Sequence, residues 1–126
     1  MTEDEMKHRT KEFALRILKL IDILPDTRAG RILANQLGRA GTSVGANYRA
    51  ACRARSVADM VSKLSVVEEE ADESAFWLEM ITALQLLSAA RVDPLHREAG
   101  ELTAIMVASR KTLLARNPKS KFENRK

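Results

Sequence analysis

Between Ser56 and Leu87 the residues Met60, Leu64, Val67, Ala71, Ser74, Leu78 and Ile81 follow one another at steps of three and four. A heptad spacing held over this length predicts a long helix burying one face, because the side chains of a strand alternate with a period of two. Ser56 is a suitable N-cap and Asp59, three residues on, takes the capping-box position, so this helix has a start as well as a face. It is expected to reach about Leu87.

The same periodicity marks three further helices. The first is expected from about Glu5 to Leu24, with Phe13, Ile17, Leu20, Ile21 and Leu24 on one face, acids in its first turn and Pro25 as its stop. A second can begin at Asp26 or Thr27 and run to about Arg53 on a seam of Leu33, Leu37, Ala40, Val44, Tyr48 and Ala51, although Gly38, Gly41 and Gly45 weaken it. The last is expected to start near Asp93, with Pro94 in the tolerated first turn, and to bury Leu95, Ala99, Leu102, Met106 and Leu113. Connections of a few residues make consecutive helices antiparallel neighbours, so the fold class read from the pattern is all-α, an up-down-up-down four-helix bundle. Composition agrees, since only 4% of residues are aromatic and the apolar remainder is mainly Leu, Ala, Ile, Val and Met. Residues 1–116 are expected to form one domain and residues 117–126 a basic, flexible tail.

Several function classes lose support at once. The longest weakly polar run, Met80 to Ala90, is about half of what a spanning helix requires, so no membrane role is expected. The single cysteine, Cys52, has no disulfide partner within the chain and the N-terminal residues are acidic, which together point to a reducing cytoplasm. A di-metal bundle site needs two Glu-x-x-His motifs and two more carboxylates at mid-bundle. Glu5 to His8 and the related Asp93 to His96 both fall at expected helix starts, where acids serve as caps and dipole partners. Gly38-Arg39-Ala40-Gly41 matches neither the Walker nor the dinucleotide spacing. No cofactor, metal or catalytic residue is therefore assigned, and the chain is read as non-enzymatic.

Charge is segregated far more strongly than the net +4 suggests. Residues 27–58 hold six arginines and no acid, whereas residues 59–79 hold seven acids and one lysine. On a helical wheel Arg28, Arg31, Arg39, Arg49 and Arg53 fall within a sector of roughly 80°, opposite the apolar seam of the second helix. Arginine's planar fork suits phosphate, and a one-signed stripe of roughly 38 Å could follow several phosphates of RNA or DNA. The opposing reading pairs these arginines with Glu68, Glu69, Glu70, Asp72 and Glu73, leaving an ordinary salt-bridged surface and a scaffold whose partner is another protein.

Two more features concern packing. Val66, Trp77, Met80 and Leu84, with Phe76 nearby, cluster away from the Met60-to-Ile81 seam; they are either the wide stripe of a helix with two neighbours or a subunit interface. Ala34, Gly38, Gly41, Gly45 and Cys52 line a narrow sector where another backbone can come close.

The run Gln36-Leu37-Gly38-Arg39-Ala40-Gly41-Thr42-Ser43-Val44-Gly45-Ala46-Asn47-Tyr48-Arg49-Ala50-Ala51, then Lys63-Leu64, then Glu70-Ala71-Asp72-Glu73-Ser74-Ala75-Phe76-Trp77-Leu78-Glu79, resembles a bacterial four-helix-bundle family. That family, the S23 type, is named for proteins encoded within intervening sequences of 23S ribosomal RNA genes. The resemblance covers about Phe13 to Leu87 and implies a cytosolic bundle that assembles as a ring-like homo-oligomer, in particular a homopentamer. The family name records gene location rather than an activity. A bundle family of similar architecture, the accessory proteins of diversity-generating retroelements, is associated with a reverse transcriptase and nucleic acid, so a scaffold role follows by analogy. The family pattern usually has Ser and Glu where this chain has Ala40 and Ala50, which puts any partner contact of those groups in doubt. Ser43, Asn47, Glu70, Glu73 and Trp77 match motif positions. Ser and Asn are poor helix formers, so Ser43 and Asn47 are expected to hydrogen-bond a neighbouring helix with Glu70 or Glu73 as acceptors, a structural polar network.

Overall fold

Helix starts are written in side-chain hydroxyls. In the structure, a computed structural model describing residues 1–116, Thr2, Thr27 and Ser56 each stand in extended backbone, and each accepts from the N–H three residues on, at Glu5, Gly30 and Asp59. Behind these caps run α1 (Glu3–Asp22), α2 (Arg28–Cys52) and α3 (Val57–Ala83), followed by α4 (Ala89–Arg116). Each hydroxyl satisfies a backbone donor that the first turn leaves without an intrahelical partner.

Around the bundle each helix packs on its neighbours in the chain, and α4 returns to α1. The diagonal pairs, α1 with α3 and α2 with α4, bring no Cα atoms within 8 Å of each other among the described residues. Side-chain pairs give the directions. Glu68 and Glu79 of α3 meet Arg110 and His96 of α4, while Arg9 of α1 reaches Glu98. Ile17 and Ile21 lie against Gly41 and Gly38, so rising numbers on one helix meet falling numbers on the next. The result is the expected antiparallel up-down-up-down bundle.

The core is built from the predicted seams. Phe13, Ile17, Leu37, Val44, Leu64, Val67, Leu78, Ile81, Leu102 and Met106 are fully buried, each large side chain worth about 1.5–3 kcal/mol of transfer free energy. Met6 and Val92 extend the core beyond the expected seams, and Met60 and Leu113 are only partly buried. The sector of small residues on α2 does what its composition suggests: α1 lies against it, and a Cβ on Gly41 would come within 2.8 Å of Ile17 Cγ1. The close approach of α1 and α2 is available because that Cβ is missing.

Three helix ends differ from expectation. α1 stops at Asp22 rather than Leu24, because the N–H groups of Ile23 and Leu24 turn to the carbonyls of Leu20 and Ile21, three residues back. α3 stops at Ala83, four residues short of Leu87. There the N–H of Leu86 reaches Ile81 O (3.0 Å), the N–H of Gln85 reaches Thr82 O (2.9 Å), and Gln85 adopts a left-handed φ of 58°. This is a Schellman closure with glutamine where glycine is usual, so no glycine advertised it. α4 begins at Ala89 rather than near Asp93, since Ser88 accepts from Arg91 N–H with both hydroxyl and carbonyl and starts the helix more than a turn before Pro94. The expected basic tail, 117–126, lies outside the described residues.

Candidate functional site

The five arginines of the α2 stripe do not share one fate. Arg39 leans toward α3, where its Nη2 donates to both carboxylate oxygens of Glu73 at 2.7 Å and its Nη1 to Glu70 Oε2 at 3.2 Å. The Glu73 hydrogen bonds come first among the causes that hold its guanidinium above the ordinary arginine value. Arg31 donates to Asp26 Oδ1 at 2.8 Å, both groups being exposed. Arg28, Arg49 and Arg53 are exposed and form no ion pair among the described residues. The uninterrupted positive track read from the wheel is therefore broken at two of its five positions, and the two opposing sequence readings divide between residues.

The polar link from α2 to α3 is carried by Arg39, not by Ser43 and Asn47. Ser43 Oγ donates to Arg39 O at 2.7 Å and Asn47 Nδ2 to Ser43 O at 2.8 Å, so both side chains close onto their own helix. Short side chains at those positions reach the carbonyl one turn back more readily than they reach across to α3. Glu70 and Glu73 take part as acceptors for arginine, and Trp77 Nε1 adds a long contact of 3.4 Å to Glu73.

The second face of α3 also divides. Val66, Phe76 and Leu84 are exposed, Phe76 by 51%, while Trp77 and Met80 pack partly against the core. Phe76 and Trp77 meet edge to face with ring centroids 5.0 Å apart. On the diagonal helix α1, Leu15 and Leu18 are each 41% exposed, on the side away from Phe13 and Ile17. These two leucines were not singled out from sequence, though the wheel that revealed the second face of α3 would have revealed them too.

A groove of about 410 Å³ runs between α1 and α2, lined by Lys7, Lys11 and Ala14 on one side and Thr42, Gly45, Ala46 and Arg49 on the other. Three cations converge there over a floor of small residues, and Lys7 and Lys11 are additions that the α2 stripe could not supply. A smaller cavity of about 290 Å³ lies between α3 and α4, with His96 Nε2 and Glu79 Oε2 2.9 Å apart at its edge. His8 is exposed on α1 and does not line this cavity. Cys52 neighbours Tyr48, whose phenol is pushed up first by burial and then by Cys52. Among the described residues no three His, Cys, Asp or Glu side chains are grouped as metal ligands would be. No described helix is long and apolar enough to cross a membrane.

The family described as 23S rRNA-intervening sequence protein matches residues 2–108, from the α1 cap to deep into α4. The chain belongs to that family. A solved structure, a protein with unknown function from the S23 ribosomal protein family of Bacteroides thetaiotaomicron VPI-5482, superposes with a TM-score of 0.78 at 30% identity, covering 83% of this chain and 97% of that one. No curated protein matches the chain. The Arg39 clamp, the exposed face of α3 and the α1/α2 groove all lie within the matched residues.

Proposed function

We propose that this protein is a non-enzymatic scaffold that assembles head to tail into a ring-like homo-oligomer. The observation that carries the reading is the presence of two different exposed apolar patches, Leu15 with Leu18 on α1 and Val66 with Phe76 on α3, on helices diagonal in the bundle. Diagonal helices present their outer faces to opposite sides of the molecule. A two-fold dimer would join one patch to itself, whereas two unlike patches suit a heterologous contact, which closes into a ring when its rotation allows. The homopentamer implied by the family resemblance is one such ring, and its setting is the cytoplasm.

Phe76→Glu and Leu15→Glu/Leu18→Glu each remove one side of this junction, and light scattering reads the mass. Each variant alone is expected to be monomeric. Mixed, they should form a dimer through the one intact junction. Full mass retained in both variants would overturn the reading.

The scaffold's partner is RNA or DNA, contacted at its phosphates by arginines of α2. Arg28, Arg49 and Arg53, exposed and unpaired, favour this reading. The alternative, a protein-interaction scaffold with satisfied arginines, has only Arg31 and Arg39 in its support.

A further inference from the structure

We infer that the α1/α2 groove is the principal phosphate site, binding the backbone of one RNA or DNA strand through Lys7, Lys11 and Arg49; this rests on the nucleic-acid reading above and relocates its centre. Charge is the first argument. None of the three cations forms an ion pair among the described residues, and no carboxylate lines the groove. Further along the same α1/α2 valley the composition reverses, with Asp22 and Asp26 beside Arg31 and the arginine already bound to Asp26. Of the remaining stripe, Arg39 is committed to α3. Along the α1/α2 valley, uncompensated positive charge is thereby greatest at the Lys7 end, where an anion replaces no existing partner.

Shape and lining chemistry choose the kind of anion. Lys7 and Lys11 stand one turn apart, about 6 Å along α1, with Arg49 facing them from α2. That arrangement can hold a charge repeated along a chain. Gly45 and Ala46 keep the floor low, so a strand can settle between the helices. Thr42 Oγ1 donates to Gly38 O at 2.7 Å, so its hydroxyl proton is engaged within α2. No aromatic side chain lines the groove, which leaves nothing for bases to stack on. What remains is contact with phosphates, strongly salt-dependent and indifferent to sequence.

The test is binding of a labelled single-stranded RNA of mixed sequence to the full chain, across a salt series, with solution mass recorded on the same samples. Lys7→Gln/Lys11→Gln is compared with Arg97→Gln/Lys111→Gln, which removes the same charge from exposed, unpaired positions of α4. The groove variant should lower the log–log salt slope by about 1.4, from two lost contacts at about 0.7 each, and weaken binding about 25-fold at roughly 0.1 M salt. The α4 variant should match wild type, and the mass should not change. Equal losses in the two variants would overturn the groove while leaving the nucleic-acid reading intact. So would a groove variant that loses mass but not RNA, which would make the groove a subunit contact. Inorganic phosphate competing as strongly as unlabelled strand at matched ionic strength would reassign the site to a small anion. Absence of RNA and DNA binding by wild type would remove the nucleic-acid reading and the groove with it.

Discussion

Gly41→Ala and Gly100→Ala add the same methyl group to helix interiors, and the structure assigns them opposite effects. At Gly100 the new Cβ would meet no atom within 4 Å beyond its chain neighbours and its own helix backbone, so the substitution should express helix propensity alone and stabilise by about 0.5–1 kcal/mol. At Gly41 the Cβ would stand 2.8 Å from Ile17 Cγ1, 2.9 Å from Cγ2 and 3.1 Å from Cβ. Ile17 is fully buried and β-branched, so it cannot swing aside, and α1 must move away from α2. Overpacking of this kind costs about 1–3 kcal/mol, which outweighs or cancels the propensity gain. Propensity is common to both variants, so the stability difference between them isolates the interhelical contact at about 1–3 kcal/mol. Urea denaturation at one fixed protein concentration measures it, because the proposed assembly would make apparent stability concentration-dependent. A Gly41→Ala protein as stable as Gly100→Ala would refute the argument that the missing Cβ sets the distance between α1 and α2.

Two further outcomes follow from the helix ends. Gln85→Gly should raise stability by about 0.5–1 kcal/mol, since the residue closes α3 in the left-handed region that glycine enters without steric cost; a loss of stability on urea unfolding would contradict the closure. Asp59 is held below its ordinary value of 3.8, first by the Lys63 ammonium at 2.9 Å and then by the Arg55 N–H. Its contribution is therefore present above that value and lost as pH falls through the lower folded-state value. The stability gap between wild type and Asp59→Asn should hold from neutral pH down to about 4 and close in stronger acid, and a gap that widens there would reverse the sign of the linkage.

Much of the bundle is legible in the sequence because burial repeats where sequence repeats. Leu33, Leu37, Ala40, Val44, Tyr48 and Ala51 are all buried, as their spacing requires. The caps Thr27 and Ser56 were legible for the same reason, being local chemistry with a known partner three residues on. Where α3 ends was not, because the closing residue is Gln85 and only backbone geometry distinguishes it from a helical glutamine. Pro94 misplaced the start of α4, since a proline marks a first turn only when no earlier cap competes, and Ser88 competes. The candidate site divides along the same line. The α2 stripe is a one-helix pattern and was visible, whereas the groove needs Lys7 and Lys11 brought to Arg49 by the packing of α1 onto Gly41 and Gly45. Ser43 and Asn47 mark the converse error, polar residues assigned a partner across the bundle when the carbonyl one turn back was closer.

The partition of charge also bears on which assembly is favoured. Of the acids concentrated on α3, Glu68 is taken by Arg110, Glu70 and Glu73 by Arg39, and Asp59 by Lys63. Glu69 and Asp72 remain exposed and form no ion pair among the described residues, on the stretch of helix between Val66 and Phe76. Around Leu15 and Leu18 the exposed, unpaired neighbours Arg16 and Lys19 have the opposite sign. A junction of α3 with α3 would bring Glu69 and Asp72 of two copies together, and like charges set face to face disfavour association. A junction of α3 with α1 sets those acids against Arg16 and Lys19 while the apolar side chains meet between them. In the proposed assembly, charge would therefore favour the heterologous contact even where apolar area alone would permit either. Because the rim of the proposed junction is exposed, the selection would act chiefly on encounter, so rising salt should slow the proposed assembly more than it weakens the ring once formed.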